Sequence, residues 1–333
     1  MAQSAQVNAQ VVMLDKCDYD ALPAEENIQA ITKLKQERHA LVLCHTYQRP
    51  EVHRIADVVG DSYALSVAAT KTQHPIIVFC GVHFMAETAK ILNPTKKVLL
   101  PSLDAGCGLA ETITAEKVRA WKKRYPGAPL VLYINSSADV KAEADIICTS
   151  TNTLKAVEAA KGDVVLLAPD KNLYYNTQPK TKKNLIPWEG YCPVHRAMNS
   201  DMLEYAIELH PDAVVVVHPE CNPEITEQAD AILSTSGMVD YVRSSPAHEF
   251  IIGTEIGLVN MLQRMFPEKK IYGLLQRNKS CDESCVCPYM KAVTLGKVRR
   301  SLEQDTHEIA VLEEIRIKAL AALQKMLILG RDT

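Results

Sequence analysis

Nine polar residues stand in three matched sets, each at the end of an apolar run, and their types are those of proton transfer and anion binding. The copies read LVLCHTYQRPEVHRIADVVGDS from Leu41, LVLYINSSADVKAEADIICTS from Leu130 and VVVVHPECNPEITEQADAILSTS from Val214. Ten residues before the shared aspartates Asp57, Asp145 and Asp230 stand Tyr47, Asn135 and Glu220. Twelve before stand His45, Tyr133 and His218, and five after stand Ser62, Ser150 and Thr235. Histidine, tyrosine and glutamate can move protons. Hydroxyls that open helices favour phosphate and carboxylate. Polar groups at the carboxyl ends of parallel strands are where α/β folds place their chemistry, so three such sets predict one shared centre.

The elements that must position them follow from the same pattern. The aspartates recur after 88 residues (57 to 145) and 85 residues (145 to 230), a repeat of domain size. Strands and helices alternate, which predicts parallel sheets covered by helices. In the first copy the pattern predicts strands over 41–44, 76–80 and 98–100. It predicts helices after Pro50, over 62–72 with Asp61 or Ser62 at the start, and over 84–92. An amphipathic helix is expected over 25–38 and a packing helix within 307–329. The expected division is a lead-in and helix at 1–38, units at 39–115, 116–200 and 201–300, and a C-terminal helix at 301–333 that packs on the core.

Of 333 residues, 47% are hydrophobic and 23% charged, and the net charge is −3. These values fit a globular protein and suggest neither a nucleic-acid nor a membrane partner. The first sixteen residues lack the basic start and apolar core of a signal peptide. No apolar run reaches the roughly 20 residues of a membrane span. A cytoplasmic location is expected, where ten cysteines point to metal or redox chemistry rather than structural disulfides.

Cys44, Cys80 and Cys148 sit inside apolar runs and read as small buried hydrophobes. Cys107, Cys192 and the trio Cys281, Cys285 and Cys287 lie in turn-rich loops. One loop cysteine per unit (Cys107, Cys192, Cys287) would let three thiolates meet, as an iron–sulfur cluster requires. Such a cluster leaves one iron free to act as a Lewis acid. The competing reading places zinc on the final trio, although structural zinc usually takes two cysteine pairs.

The motifs HTYQ with GDS, GVHFMAETAKILNP, LPSLDAGC, YINSSADVKAEAD, APDKNL, WEGYCPVH, HPECNPE with ADAILSTSGM, IGTE and CPYMKAVTLGK occur in this order. Together they cover most of the chain, which resembles the quinolinate synthase family of iron–sulfur enzymes, type A. The resemblance implies an α/β fold of three homologous three-layer αβα domains around a pseudo-threefold axis with a central active site. It implies condensation of iminoaspartate with dihydroxyacetone phosphate to quinolinate, with loss of phosphate and water, in de novo NAD biosynthesis. A functional coupling to an enzyme that makes iminoaspartate follows. It further implies a [4Fe–4S] cluster on Cys107, Cys192 and Cys287. The family's substrate-site positions fall on His45, Tyr47, Ser62, Tyr133, Asn135, Ser150, His195, His218, Pro219, Glu220 and Thr235.

Each residue has a plainer role to weigh. Ser62, Ser150 and Thr235 could be helix N-caps, and Lys171 and Arg243 read as surface charges. Glu220, flanked by a histidine in a central cavity, reads as a general base whose pKa the site raises, with Tyr47 as its partner. His195 joins them as catalytic. The alternatives of another class are a non-catalytic iron–sulfur redox sensor and a zinc hydrolase built on the last cysteine loop.

Overall fold

The computed structural model describes residues 15–277 and 285–330. Among the described residues, twelve strands form three separate sheets of four, all parallel. The first contains β1 (Ala40–His45), β2 (Val58–Gly60), β3 (Ile76–Cys80) and β4 (Lys97–Leu99). The second contains β5 (Leu130–Tyr133), β6 (Ile146–Cys148), β7 (Val164–Ala168) and β8 (Asn184–Pro187). The third contains β9 (Val214–Val217), β10 (Ala231–Ile232), β11 (Glu249–Gly253) and β12 (Lys270–Gly273). Each sheet has the same order, second–first–third–fourth. The central strands are apolar and buried along nearly their whole length, as parallel strands covered on both faces must be. The fold is thus three αβα units, as the resemblance implies.

The short edge strands β2, β6 and β10 were not expected, because two or three residues carry no readable period. The shared aspartates hold them. Asp57, Asp145 and Asp230 each accept the amide of a first-strand residue, Val42, Leu130 and Val215, at 2.8 Å. Each donates its own amide to that same residue's carbonyl at 2.9, 3.0 and 2.9 Å. The repeat's most regular residue is therefore a structural clip that sets where the edge strand begins beside the first strand.

Each unit also opens with a helix: Ala24–Arg38, Ala115–Arg124 and Ser200–Leu209. The first of these, read from sequence as part of a lead-in, is the counterpart of the other two. The helix Leu295–Gln304 crosses the expected boundary at 300 and packs on Ala24–Arg38. The helix Glu313–Leu329 lies against β6, Ala138–Lys141 and His83–Leu92, burying Ala319, Ala322, Leu323 and Met326 between the first two units. Asn152 Nδ2 donates to the Gly330 carbonyl at 2.8 Å and fastens its end. No helix among the described residues is long and apolar enough to cross a membrane.

Candidate active site

The carboxyl ends of β1, β5 and β9 open onto one pocket of about 740 Å³, part of it open to solvent. His45, Tyr47, Ser62, Tyr133, Asn135, Ser150, His195, His218, Glu220 and Thr235 all line it, as do Cys107, Cys192 and Cys287. Pro219 does not. It borders a neighbouring recess, where its carbonyl accepts from Asn176 Nδ2 at 2.9 Å.

His45 and His218 are local copies of each other. The ring Nδ1 of His45 accepts the Tyr47 amide at 3.1 Å, and that of His218 accepts the Glu220 amide at 3.3 Å. A backbone amide always donates, so each neutral ring carries its proton on Nε2. Burial lowers His45 from 6.5 to about 4 and His218 to about 3. Both rings are therefore neutral donors near neutrality.

Glu220 makes its contacts across unit boundaries. Its Oε1 accepts the Tyr133 hydroxyl at 2.6 Å, and its Oε2 lies 2.8 Å from His195 Nδ1. Burial works to raise its pKa, yet the His195 contact and the Tyr133 bond outweigh it and hold the group low. This corrects the expectation of a raised carboxyl: the cavity is apolar enough to penalise the charge, but its hydrogen-bond donors are aimed at it. The expected Tyr47–Glu220 pair is also indirect. The Tyr47 hydroxyl meets Thr254 Oγ1 at 2.8 Å and Thr235 Oγ1 at 3.0 Å, and Thr254 Oγ1 lies 2.8 Å from His195 Nε2.

The direction of this chain follows from its charged end. The Glu220 carboxylate only accepts, so His195 Nδ1 donates; with the proton placed there, the ring accepts at Nε2. Thr254 then donates to Nε2, and Tyr47 donates to Thr254. Hydroxyl, imidazole and carboxylate stand in the order that hydrolases use to activate a nucleophile. Burial raises Tyr47 and Tyr133 well above the usual phenol range, with the Glu220 charge adding to it. Both phenols therefore stay protonated unless an acceptor is supplied.

The N-cap alternative for the hydroxyls fails at all three sites. Asp61 and Ser234 cap the helices Ser62–Lys71 and Thr235–Ser244 through Ala64 and Gly237. Ser62 and Thr235 are the first helical residues, and their hydroxyls are not used as caps. Ser150 precedes its helix, which begins at Thr153.

The three cysteine loops are pinned alike. The first amide of the helix after β3, β7 or β11 donates to the carbonyl two residues before each cysteine. These bonds run from His83 to Ala105 at 2.8 Å, from Lys171 to Gly190 at 2.8 Å, and from Ile256 to Cys285 at 3.1 Å. A helical turn follows each cysteine: Ala110–Thr112, Pro193–Ala197 and Pro288–Lys291. Amides of those turns approach the sulfurs and would stabilise thiolates, although burial pushes Cys107 up to about 11 and Cys287 to about 12. The loops touch one another. A Cβ on Gly108 would stand 2.9 Å from Pro193 Cγ, and one on Gly106 would stand 3.3 Å from Tyr289. A side chain at Gly108 would force Pro193 to shift, and three cysteines lining one pocket are a donor set that fits an iron–sulfur group. Cys281 lies outside the described residues. Cys192, His195 and Glu220 also bring one ligand atom each within 4.8 Å of one another. His195 Nδ1 lies 3.2 Å from Cys192 Sγ as well as 2.8 Å from Glu220, so this group is already hydrogen-bonded together.

Sequence reasoning missed Thr254, Glu255 and Asp170. Their signal was present in the motifs IGTE and APDKNL, just past the apolar runs of β11 and β7. Lys171 pairs with Glu189 at 2.6 Å and Arg243 with Asp240 at 2.5 Å, as expected of surface charges.

The fold and the site together define an α/β enzyme of three αβα units around a central pocket lined by cysteine, histidine and tyrosine. Residues 29–328 match the family model described as Quinolinate synthetase A protein. The chain is 46% identical over 303 residues to the quinolinate synthase of Thermodesulfovibrio yellowstonii, covering 91% of this chain and 98% of that one. It is 47% identical over 302 residues to that of a Geobacter species, covering 91% and 97%. It is 46% identical over 301 residues to quinolinate synthase 1 of Methanosarcina acetivorans, covering 90% and 96%. The chain belongs to the quinolinate synthase family, enzymes of NAD biosynthesis. Membership favours catalysis over a non-catalytic sensor.

Proposed function

We propose that this chain makes quinolinate from iminoaspartate and dihydroxyacetone phosphate with loss of phosphate and water. Cys107, Cys192 and Cys287 would hold a [4Fe–4S] cluster beside the substrates. The observation that carries the reading is the meeting of three similarly pinned cysteine loops and one directed proton chain in a single pocket. When bound, such a cluster supplies an iron without a protein ligand, a Lewis acid toward hydroxyl or carboxylate oxygen.

The chain's own residues do the rest. The Nε2–H groups of His45 and His218, the Asn135 amide and the hydroxyls of Ser62 and Ser150 bind carboxylate and phosphate oxygens. Thr235 aligns the Tyr47 hydroxyl. Tyr47 exchanges a proton with the substrate and passes it through Thr254 Oγ1 to His195 Nε2. Glu220, kept anionic, stabilises the imidazolium, and Tyr133 steadies Glu220. Burial of these groups excludes bulk water and strengthens each contact. The units at 39–115, 116–200 and 201–300 each supply one cysteine loop and one set of polar strand ends, and the N-terminal helix completes the first. A cytoplasmic enzyme supplied by an iminoaspartate producer fits this chemistry.

The test is oxygen-free purification, measurement of iron, acid-labile sulfide and visible absorption, then a quinolinate assay on the same sample. Zinc in place of iron and sulfide, or a cluster without quinolinate formation, would overturn the reading.

A further inference from the structure

The residue 25 positions after the shared aspartate is Asp170 in the second unit and Glu255 in the third. Both are about 1% exposed. Both cap the helix that follows, Asp170 Oδ1 accepting the Leu173 amide at 2.7 Å and Glu255 Oε2 accepting the Gly257 amide at 2.6 Å. Capping uses only one oxygen. The second oxygen of Asp170 accepts the Cys192 amide at 3.2 Å, and that of Glu255 accepts the Cys287 amide at 3.0 Å.

We propose that Asp170 and Glu255 are positioning residues for the metal site: each holds its helix with one carboxylate oxygen and the backbone of a cysteine ligand with the other. The proposal rests on the cluster reading above. A carboxylate suits the task because it accepts at both oxygens and donates at neither. A carboxamide keeps one acceptor and turns a donor toward the second amide. The first unit has Val82 at this position, and no side chain caps its helix. The Cys107 loop instead leans on the other two through Gly106 and Gly108, against Tyr289 and Pro193. Two clamps therefore seat all three loops. Lys291 lies 2.9 Å from Glu255 Oε1 and also donates to the Tyr47 carbonyl. It offsets a buried negative charge beside a thiolate and ties the Cys287 loop to the proton chain.

The test uses Asp170→Asn and Glu255→Gln in the full chain, reconstituted with iron and sulfide without oxygen. The readout is cluster loss on addition of an iron chelator, followed by visible absorption. Both variants should keep the apo-protein circular dichroism of the wild type, since each carboxamide keeps one acceptor oxygen for the amide it caps. Both should release the cluster roughly 10- to 100-fold faster, the usual cost of removing a group that orients a ligand. Asn199→Ala removes the cap that holds the Met202 amide and should release at the wild-type rate. Wild-type release rates in both carboxamide variants would overturn the proposal while leaving the cluster reading intact. Failure of the wild type to take up iron and sulfide would remove both. Hydrogen exchange on the wild-type apo protein needs no variant: the Cys192 and Cys287 amides should be protected, and unprotected exchange at both would overturn the clamp.

Discussion

Thr254→Val removes one oxygen and leaves the side-chain shape unchanged. That oxygen makes two buried contacts of 2.8 Å, to the Tyr47 hydroxyl and to His195 Nε2. Tyr47 keeps its 3.0 Å contact with Thr235, so the phenol stays in place. His195 keeps Glu220 but loses its partner at Nε2. Leaving a buried polar atom unpaired costs about 1–3 kcal/mol, which a folded chain of this size should survive. The kinetic cost is larger, because the proton path from Tyr47 to His195 is cut. Loss of general acid–base transfer costs about 10²–10⁴ in rate, or about 3–5 kcal/mol at 1.36 kcal/mol per tenfold. The expected result is full iron content, a KM close to wild type and a kcat lowered by that factor. Thr254→Ser should restore most of it. Residues acting as one unit lose function non-additively, so adding Glu220→Gln should lower kcat little further. The assay is quinolinate formation without oxygen, normalised to iron. Near-normal turnover in Thr254→Val, or losses that multiply in the double variant, would refute the relay.

Serine at Cys107, Cys192 or Cys287 should abolish the visible cluster absorption, while Cys281→Ser and Cys285→Ser should keep it; equal iron loss in Cys281→Ser and Cys287→Ser would show the ligand assignment to be wrong. Asp230→Ala takes the acceptor from the Val215 amide and should cost about 1–3 kcal/mol, a Tm loss of about 2–4 °C per kcal/mol; Asp230→Asn, which keeps an acceptor oxygen, should lose less. His45 and His218 are held at about 4 and about 3 by burial, against 6.5 when unfolded. Between those values the unfolded chain binds more protons, so stability falls as pH drops below about 6.5 toward 4. Tm measured across that window should fall less steeply in a His45→Gln/His218→Gln apo variant, and an unchanged slope would count against neutral rings.

The three-unit plan was legible in the chain because a threefold repeat of polar residues at apolar run ends is a one-dimensional signal. It marked nine of the side chains that line the cavity, since strand ends project into the centre wherever the sheets meet. The cysteines were legible as one per loop, even though their distances from the shared aspartates differ. What sequence could not assign was partnership. The register paired Tyr47 with Glu220, but the phenol that bonds Glu220 is Tyr133 of the second unit. Thr254 stands between Tyr47 and His195 because β11 ends beside the Cys192 loop, a relation of space rather than of spacing. The shift of Glu220 went the opposite way from the expectation for the same reason: burial follows from composition, but the donors that overcome it, Tyr133 and His195, come from two separate segments of the second unit. The dual use of Asp170 and Glu255 is likewise a tertiary fact. Their motifs are readable in the chain, but which amide the second oxygen meets is decided only when each cysteine loop folds back over its own strand.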